Sequence, residues 1–408
     1  MRNHFIKFTL LISLVSIISC NTKPKENILK TGNWLGKITM QNKELPFNFE
    51  IYKNDSSYEI TLINGKEKLK MTNVKVLNDS LSFNFHIFDI SIKAKFNNDT
   101  IIGVYVKNYV KDYVLPFKAS FNPKKTTQAS SEILNGKWDM NFKSVNGDDS
   151  YHGVGIFNNE NKTLNGSILT TTGDYRYLQG FTQNNKFTLY SFDGNHAFIF
   201  EGEKKTDTTF TGDFWAGKSS HETFTAVKNE NAALPDADKL TFLKEGYHKI
   251  DFKFPDLNGK IVSLSDKKYQ NKVVLLQIFG TWCPNCMDET NFLTQWYQQN
   301  KNKDIAIIGL AYEAKTDFNY AKTRVENMKK RLHVPYDLLI AGSYLNNGAS
   351  KSLPMLNHVM SFPTFIVIDK HGNVRKIHTG FSGPATGKYY NDFKTEFNKF
   401  INQLLTEK

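Results

Sequence analysis

Between residues 31 and 121, apolar and polar residues alternate in short runs, as in Leu81-Ser82-Phe83-Asn84-Phe85-His86. A period of two puts every second side chain on the same face, so these runs predict strands at 34–40, 45–52, 58–63, 81–88, 90–96 and 101–106, with one face wet. The intervening turns are rich in Asn, Asp and Gly, as hairpins require. The pattern then recurs. Gly32-Asn33-Trp34 is echoed by Gly136-Lys137-Trp138, and Asp99-Thr100-Ile101-Ile102-Gly103 by Asp207-Thr208-Thr209-Phe210-Thr211-Gly212. The echoes predict two tandem β units, 31–122 and 133–228, each with roughly six to eight strands in a small antiparallel sandwich or barrel. The competing expectation is one large sheet. Residues 123–132 and 229–246 read as linkers.

From residue 247 the period changes. A short hairpin is expected at 252–264, around Asn258-Gly259-Lys260. The apolar run 273–279 predicts a strand buried on both faces, and a helix is expected at 284–300. A second buried strand at 304–311, a polar helix at 317–332 and a hairpin of 364–368 with 374–378 follow. The last helix, 388–405, carries Tyr390, Phe393, Phe397, Phe400, Ile401 and Leu404 on one stripe. Strand, helix, strand, helix, hairpin and helix make an α/β sandwich.

The chemistry concentrates at Trp282-Cys283-Pro284-Asn285-Cys286, directly after the first buried strand. Two residues between cysteines let the sulfurs meet across one helical turn and cycle between dithiol and disulfide. Cys283 is expected at the helix N-terminus, where free backbone N–H groups favour a thiolate, and Cys286 one turn inside. The first sulfur attacks and the second resolves. A static disulfide or half a zinc site would use the same residues. Zinc needs two more ligands, and the chain has no second Cys or His pair, so no metal and no cofactor are expected. Pro284 falls in the first helical turn, where its missing N–H costs nothing. Glu289 shares a helix face with Cys286, Leu293 and Trp296. Burial there would disfavour its ionisation and make it a proton acceptor for the resolving thiol, while a solvated helix glutamate is the alternative. In the β units His86, His152, His196 and His221 stand isolated and read as surface or satisfied histidines.

The third cysteine has another role. Residues 1–19 hold Arg2, Lys7 and an apolar run, and end at Ile17-Ile18-Ser19-Cys20, which reads as a secretory signal with a bacterial lipobox. In that resemblance cleavage precedes Cys20, its thiol is lipidated, and 20–30 is a tether to the membrane. An uncleaved anchor is the alternative, but the run is short for ~30 Å of hydrocarbon. The expected location is the cell envelope, lipid-anchored on the extracytoplasmic side. The net charge of +12 falls to +10 when Arg2 and Lys7 leave with residues 1–19, which contain no acid. The surplus lysines are scattered among asparagines, and with a secretion signal this argues against nucleic acid as a partner.

Residues 247–408 resemble a thioredoxin-fold domain of the TlpA/ResA-like group of extracytoplasmic thiol-disulfide oxidoreductases. The matching elements are the strand entering Trp282-Cys283-Pro284-Asn285-Cys286, Glu289, Ser361-Phe362-Pro363-Thr364 and the turn Asp369-Lys370-His371-Gly372. The departure is Cys-Pro-Asn-Cys in place of the group's commoner Cys-x-Pro-Cys. The resemblance implies a cis bond before Pro363, which faces the cysteines so that the preceding segment pairs with an extended substrate chain. Phe362 and Trp282 would shape that groove, although Trp282 also suits core packing and Pro363 a plain strand start. The segment 312–360 is longer than a minimal domain of this kind needs, with a loop expected at 341–351 near the active face.

The whole chain is thus expected to hold two tandem small antiparallel all-β domains followed by an α/β thioredoxin-like domain. Its partners would be protein disulfide substrates, together with an external thiol-disulfide protein to recycle the pair, since a lipidated Cys20 leaves no third thiol. Reductase action is the reading the resemblance favours. Oxidase or isomerase action and a binding lipoprotein led by its β units are the alternatives, and a single-cysteine peroxidase fits the paired motif poorly.

Overall fold

The computed structural model describes residues 27–55, 57–122, 134–160 and 163–407. The expected signal sequence, Cys20 and the 123–132 connection lie outside the described residues.

The first β unit is a nine-stranded antiparallel sheet in which neighbours in sequence are neighbours in space, and Gly32–Met40 pairs with Val114–Phe121. Its two end strands, Glu67–Lys70 and Thr72–Leu77, are parts of one run broken only at Met71, so the sheet curls into a barrel-like form. Alternation drives the packing. Leu45, Phe47, Phe49 and Ile51 of Lys43–Lys53 all point inward, each contributing about 1.5–3 kcal/mol by leaving water. The six expected strands are present, but 81–88 stops at Asn84, and Phe85 to Phe88 form a tight turn with His86 at φ +40°. Three strands escaped the periodicity. Glu67–Lys70 buries only Leu69, Thr72–Leu77 buries no residue fully, and Val114–Phe121 is disguised by Pro116.

The second β unit is a separate nine-stranded antiparallel sheet, which answers the expectation of one large sheet. Ser150–Glu160 pairs with both Gly136–Ser144 and Thr163–Thr170, closing the ring. The sequence echo has a geometric counterpart. Trp34 Nε1 donates to Lys30 O at 3.1 Å and Trp138 Nε1 to Leu134 O at 2.8 Å, each four residues upstream, and Gly32 and Gly136 begin their strands at φ +121° and +115°.

The C-terminal unit is a five-stranded sheet ordered Asp337–Ser343, Ile305–Glu313, Val273–Phe279, Thr364–Ile368, Val374–Thr379. The first three are parallel and the last two antiparallel. Helices Pro284–Asn300, Phe318–Arg331 and Lys388–Thr406 fall close to the expected ranges. The parallel strand Asp337–Ser343 was hidden inside the 312–360 segment. It opens on Asp337 just after Pro335, ends in Gly342-Ser343, and offers only four consecutive apolar residues. Residues 341–351, expected as a loop, contain the end of that strand and most of the short helix Gly348–Ser352.

Two expected connections are packed rather than free. In 229–246, Asp238 bonds His378 at 2.7 Å and pairs with Lys376 at 2.8 Å, and Leu243 bridges Leu356. In the tether 20–30, Leu29 is buried and Asn27 Nδ2 donates to Phe96 O. The three units pack on one another. Phe47 and Phe192 join the two barrels at 4.4 Å, and Arg331 Nη2 donates to Lys70 O at 2.8 Å across the first barrel and the C-terminal unit.

Candidate active site

Strand Val273–Phe279 is buried at every position and delivers the chain into Gly280-Thr281-Trp282. That turn is fixed from two sides. Glu313, at the end of the neighbouring strand, accepts from Thr281 N and Thr281 Oγ1, each at 2.8 Å, and Trp282 Nε1 donates to Tyr312 O at 2.9 Å. Burial raises the Glu313 carboxyl to about 7 against the pull of the two Thr281 bonds. Gly280 is required here, because a Cβ would lie 2.2 Å from Trp282 Nε1.

Cys283 is the N-cap of helix Pro284–Asn300, and Pro284 is its first residue. Cys283 and Cys286 are paired as a disulfide with Cα atoms 5.2 Å apart. The Cys286 backbone N–H points at Cys283 Sγ, 3.1 Å away, and Cys283 keeps 5% exposure while Cys286 has none. Only the first sulfur can be met from outside. The Phe362–Pro363 bond is cis, and Phe362 O stands 3.4 Å from Cys283 Sγ. The Trp282 and Phe362 rings are 5.4 Å apart, and Tyr344 closes on Trp282 at 4.4 Å. Trp282, Cys283, Pro284, Phe362 and Pro363 are therefore gathered at one place.

Glu289 is fully buried one turn beyond Cys286. Its Oε2 accepts from Gln277 Nε2 at 2.9 Å, while among the described residues Oε1 has no hydrogen-bond partner. Burial lifts its carboxyl to about 8, with Gln277 pulling weakly the other way. A carboxyl held there carries its proton near neutrality and can exchange it.

Sequence reasoning found no chemistry in the β units, yet the second barrel covers the cysteines. Asn285, inside the motif, donates to Asp174 O at 3.0 Å, Ser361 Oγ donates to Thr172 O at 2.7 Å, and Asn195 bonds the Trp282 carbonyl. Arg176, 1% exposed, reaches Pro284 O at 2.9 Å and pairs with Glu67 at 2.5 Å, with Asp193 at 3.1 Å and with Asp288. One residue thus ties both barrels to the active-site helix. Its planar five-donor fork suits several acceptors at once. Burial would raise Asp193, but His196 first and then Arg176 bring it down to about 2, whereas burial and the neighbouring acids hold Asp288 well up despite Arg176. The available signal was Tyr175-Arg176-Tyr177, one of only five arginines among 52 basic residues, set between aromatics. Glu313 had a signal too, as an acid ending an apolar run.

A cleft of about 280 Å³ remains over Cys283, walled by Trp282 and Phe362 on one side and by Tyr175, His196 and Phe198 on the other. A larger cleft, about 690 Å³, lies beside Gly65, Tyr177 and Lys388 with no cysteine in its lining. The chemistry selects the smaller one. The β-unit histidines each have partners: His152 with Asp139, His196 with Asp193, His221 with Asp213, and His86 with Lys70 O and Arg331.

Residues 237–392 match the family model described as Redoxin. The thiol-disulfide oxidoreductase ResA of Bacillus cereus is 30% identical over 139 residues, covering 34% of this chain and 70% of that protein. ResA of Bacillus subtilis is 27% identical over 138 residues, 34% of this chain and 69% of its own. A solved thiol:disulfide interchange protein from Chlorobium tepidum overlaps 40% of this chain and 98% of its own at 21% identity, with a TM-score of 0.30. With a Trp-Cys-Pro-Asn-Cys pair at a helix N-terminus and relatives of this identity and coverage, the chain belongs to the ResA-like thiol-disulfide oxidoreductases, its redoxin domain lying at the C-terminus.

Proposed function

We propose that this protein is a lipid-anchored, extracytoplasmic disulfide reductase in which Cys283 attacks and Cys286 resolves. The observation that carries the assignment of roles is the asymmetry of the pair: Cys283 faces the cleft and receives the Cys286 N–H, while Cys286 is sealed. A donor aimed at Cys283 Sγ favours its thiolate. That thiolate attacks one sulfur of a substrate disulfide, a mixed disulfide forms, and the other substrate sulfur leaves as a thiolate that takes a proton. In molecules whose Glu289 carboxylate is ionised, a fraction that grows as pH rises toward about 8, Cys286 then gives its proton to Glu289 and attacks Cys283 Sγ, and the second substrate sulfur leaves as a thiolate that takes a proton. The pair is oxidised by two electrons and the substrate is reduced by two. Glu289 serves the second step because Cys286 is sealed from solvent bases and Glu289 lies on its helix face with one oxygen that has no hydrogen-bond partner among the described residues. Trp282, Pro284, Phe362 and Pro363 form the groove wall, and substrates are protein disulfides.

An external thiol-disulfide protein reloads the pair, because Cys283 and Cys286 are the only cysteines besides Cys20. The sequence at Ile17-Ile18-Ser19-Cys20 supports lipid anchoring through Cys20. Among the described residues no helix is long and apolar enough to cross a membrane. Oxidase action would run the same steps in the other direction, and isomerase action would return the Cys283 mixed disulfide to a different substrate thiol with no net electron transfer. The test is trapping: Cys286→Ala accumulates mixed disulfides through Cys283, and Cys283→Ala accumulates none. Trapping through Cys286 instead would reverse the roles.

A further inference from the structure

A substrate chain would approach Cys283 along the segment before Pro363, and this protein already places a piece of itself there. Strands Thr163–Thr170 and Gly173–Asp174 pair through Leu169 with Asp174 and Thr170 with Gly173, making a tight hairpin whose tip is Thr171-Thr172. Thr172 O accepts from Ser361 Oγ at 2.7 Å, Asp174 O from Asn285 Nδ2 at 3.0 Å, and Asp174 Oδ2 from Gly383 N at 2.7 Å. The approach is so close that a Cβ on Gly173 would lie 2.7 Å from Asn285 Nδ2, at a φ of +138° that side chains avoid. Arg176, two residues on, fastens the same hairpin to Pro284 O and Asp288. What stays open over Cys283 is the cleft of about 280 Å³. That is at the small end of the ~300–1,000 Å³ range for small-molecule sites, whereas a folded partner needs ~800 Å² of contact surface per side.

We propose that the second barrel makes the cysteine pair selective by size. With the 171–174 tip seated on Ser361 and Asn285, Cys283 exchanges with small thiols and disulfides that enter the cleft, and a folded protein disulfide is engaged only when the tip lifts. Thr172, Gly173, Asp174 and Arg176 set that preference. The inference rests on the exchange reading above and adds the substrate class that the closed arrangement admits.

The test uses the full chain carrying Cys20→Ser, reduced with dithiothreitol and freed of it, so that only the 283–286 pair reacts. Its oxidation is timed against bis(2-hydroxyethyl) disulfide and against insulin. In each reaction the protein dithiol becomes a disulfide, and two electrons and two protons pass to the added disulfide. Arg176→Met raises the insulin rate relative to the small-disulfide rate by about tenfold or more, since the fraction of open molecules limits the larger substrate. Gly173→Ala, which pushes the tip off Asn285 without touching the Arg176 ion pairs, gives the same shift and carries the test if Arg176→Met does not fold. A ratio of insulin to small-disulfide rates unchanged in the folded variants overturns the size selection while leaving exchange intact. A wild-type pair oxidised by neither disulfide overturns the exchange reading and this inference with it.

Discussion

Asn285, the second residue between the two cysteines, donates its side-chain amide to the backbone oxygen of Asp174, 3.0 Å away in the second barrel. This bond gives a physical sense to the proline-first order of the motif. Proline at position 284 starts the helix, and position 285 is left to carry a polar side chain that a second-position proline would lack. Asn285→Ala removes a buried donor and leaves Asp174 O without it. The expected cost is about 1–2 kcal/mol, read as a lower urea midpoint with an unchanged slope. No change in midpoint would show that the contact adds nothing to the folded state.

Glu289 ties stability to pH. Its carboxyl rises from 4.5 to about 8 on burial, so the folded state holds a proton that the unfolded chain releases. Wild-type stability from this group is fully present below pH 4.5 and is lost as pH rises toward about 8. Glu289→Gln removes that dependence and at pH 9 is more stable than wild type by about 4 kcal/mol, while resolution of the mixed disulfide slows. Denaturant titrations of both proteins between pH 4 and 9 check the first part and single-turnover exchange the second. Parallel stability curves, or unchanged exchange rates across pH, would remove the proposal for Glu289.

Arg176 and Asp288 are expected to respond unequally. Arg176→Met strands Glu67 and Asp288 in a buried site without their cation, leaves Asp193 to pair with His196 alone, and costs about 3–5 kcal/mol. Asp288→Asn keeps a hydrogen-bonding group where burial and neighbouring acids already oppose the charge, and costs less. Urea unfolding of the two variants at pH 7 compares them. A larger loss from Asp288→Asn would contradict the account of the cluster.

The direction of electron flow is read from the potential of the 283–286 pair, equilibrated against dithiothreitol or glutathione buffers. A reductase is expected to sit near about −270 mV, the range of thioredoxin, whereas a value near about −120 mV would mark an oxidant. Among the described residues the backbone N–H that points at Cys283 Sγ comes from Cys286.

Local signals carried the C-terminal unit far. The run 273–279 and the motif after it announced a buried strand and a helix with two cysteines at its start, because burial on both faces leaves a run apolar everywhere but Gln277 and a two-residue gap spans one helical turn. Strands that bury little or contain proline, such as Thr72–Leu77 and Val114–Phe121, were legible only through their partners, since their pairing comes from neighbouring strands and not from their own pattern. Asp337–Ser343 was lost for another reason: it is buried over Leu338 to Ala341, but four apolar residues between Pro335 and Gly342 are too short a run to stand out from a loop.

The sequence by itself determined the redox chemistry, the fold class and the presence of two echoing β units, because spacing and periodicity are properties of a chain read one segment at a time. Where the barrels sit was decided by tertiary structure. Nothing local in Thr172, Gly173, Asp174 or Arg176 points to residues 283–288, more than a hundred positions away, and only the folded chain brings a buried guanidinium, a glycine with no Cβ and a motif asparagine into contact. Such contacts depend on complementary shape and charge between distant surfaces.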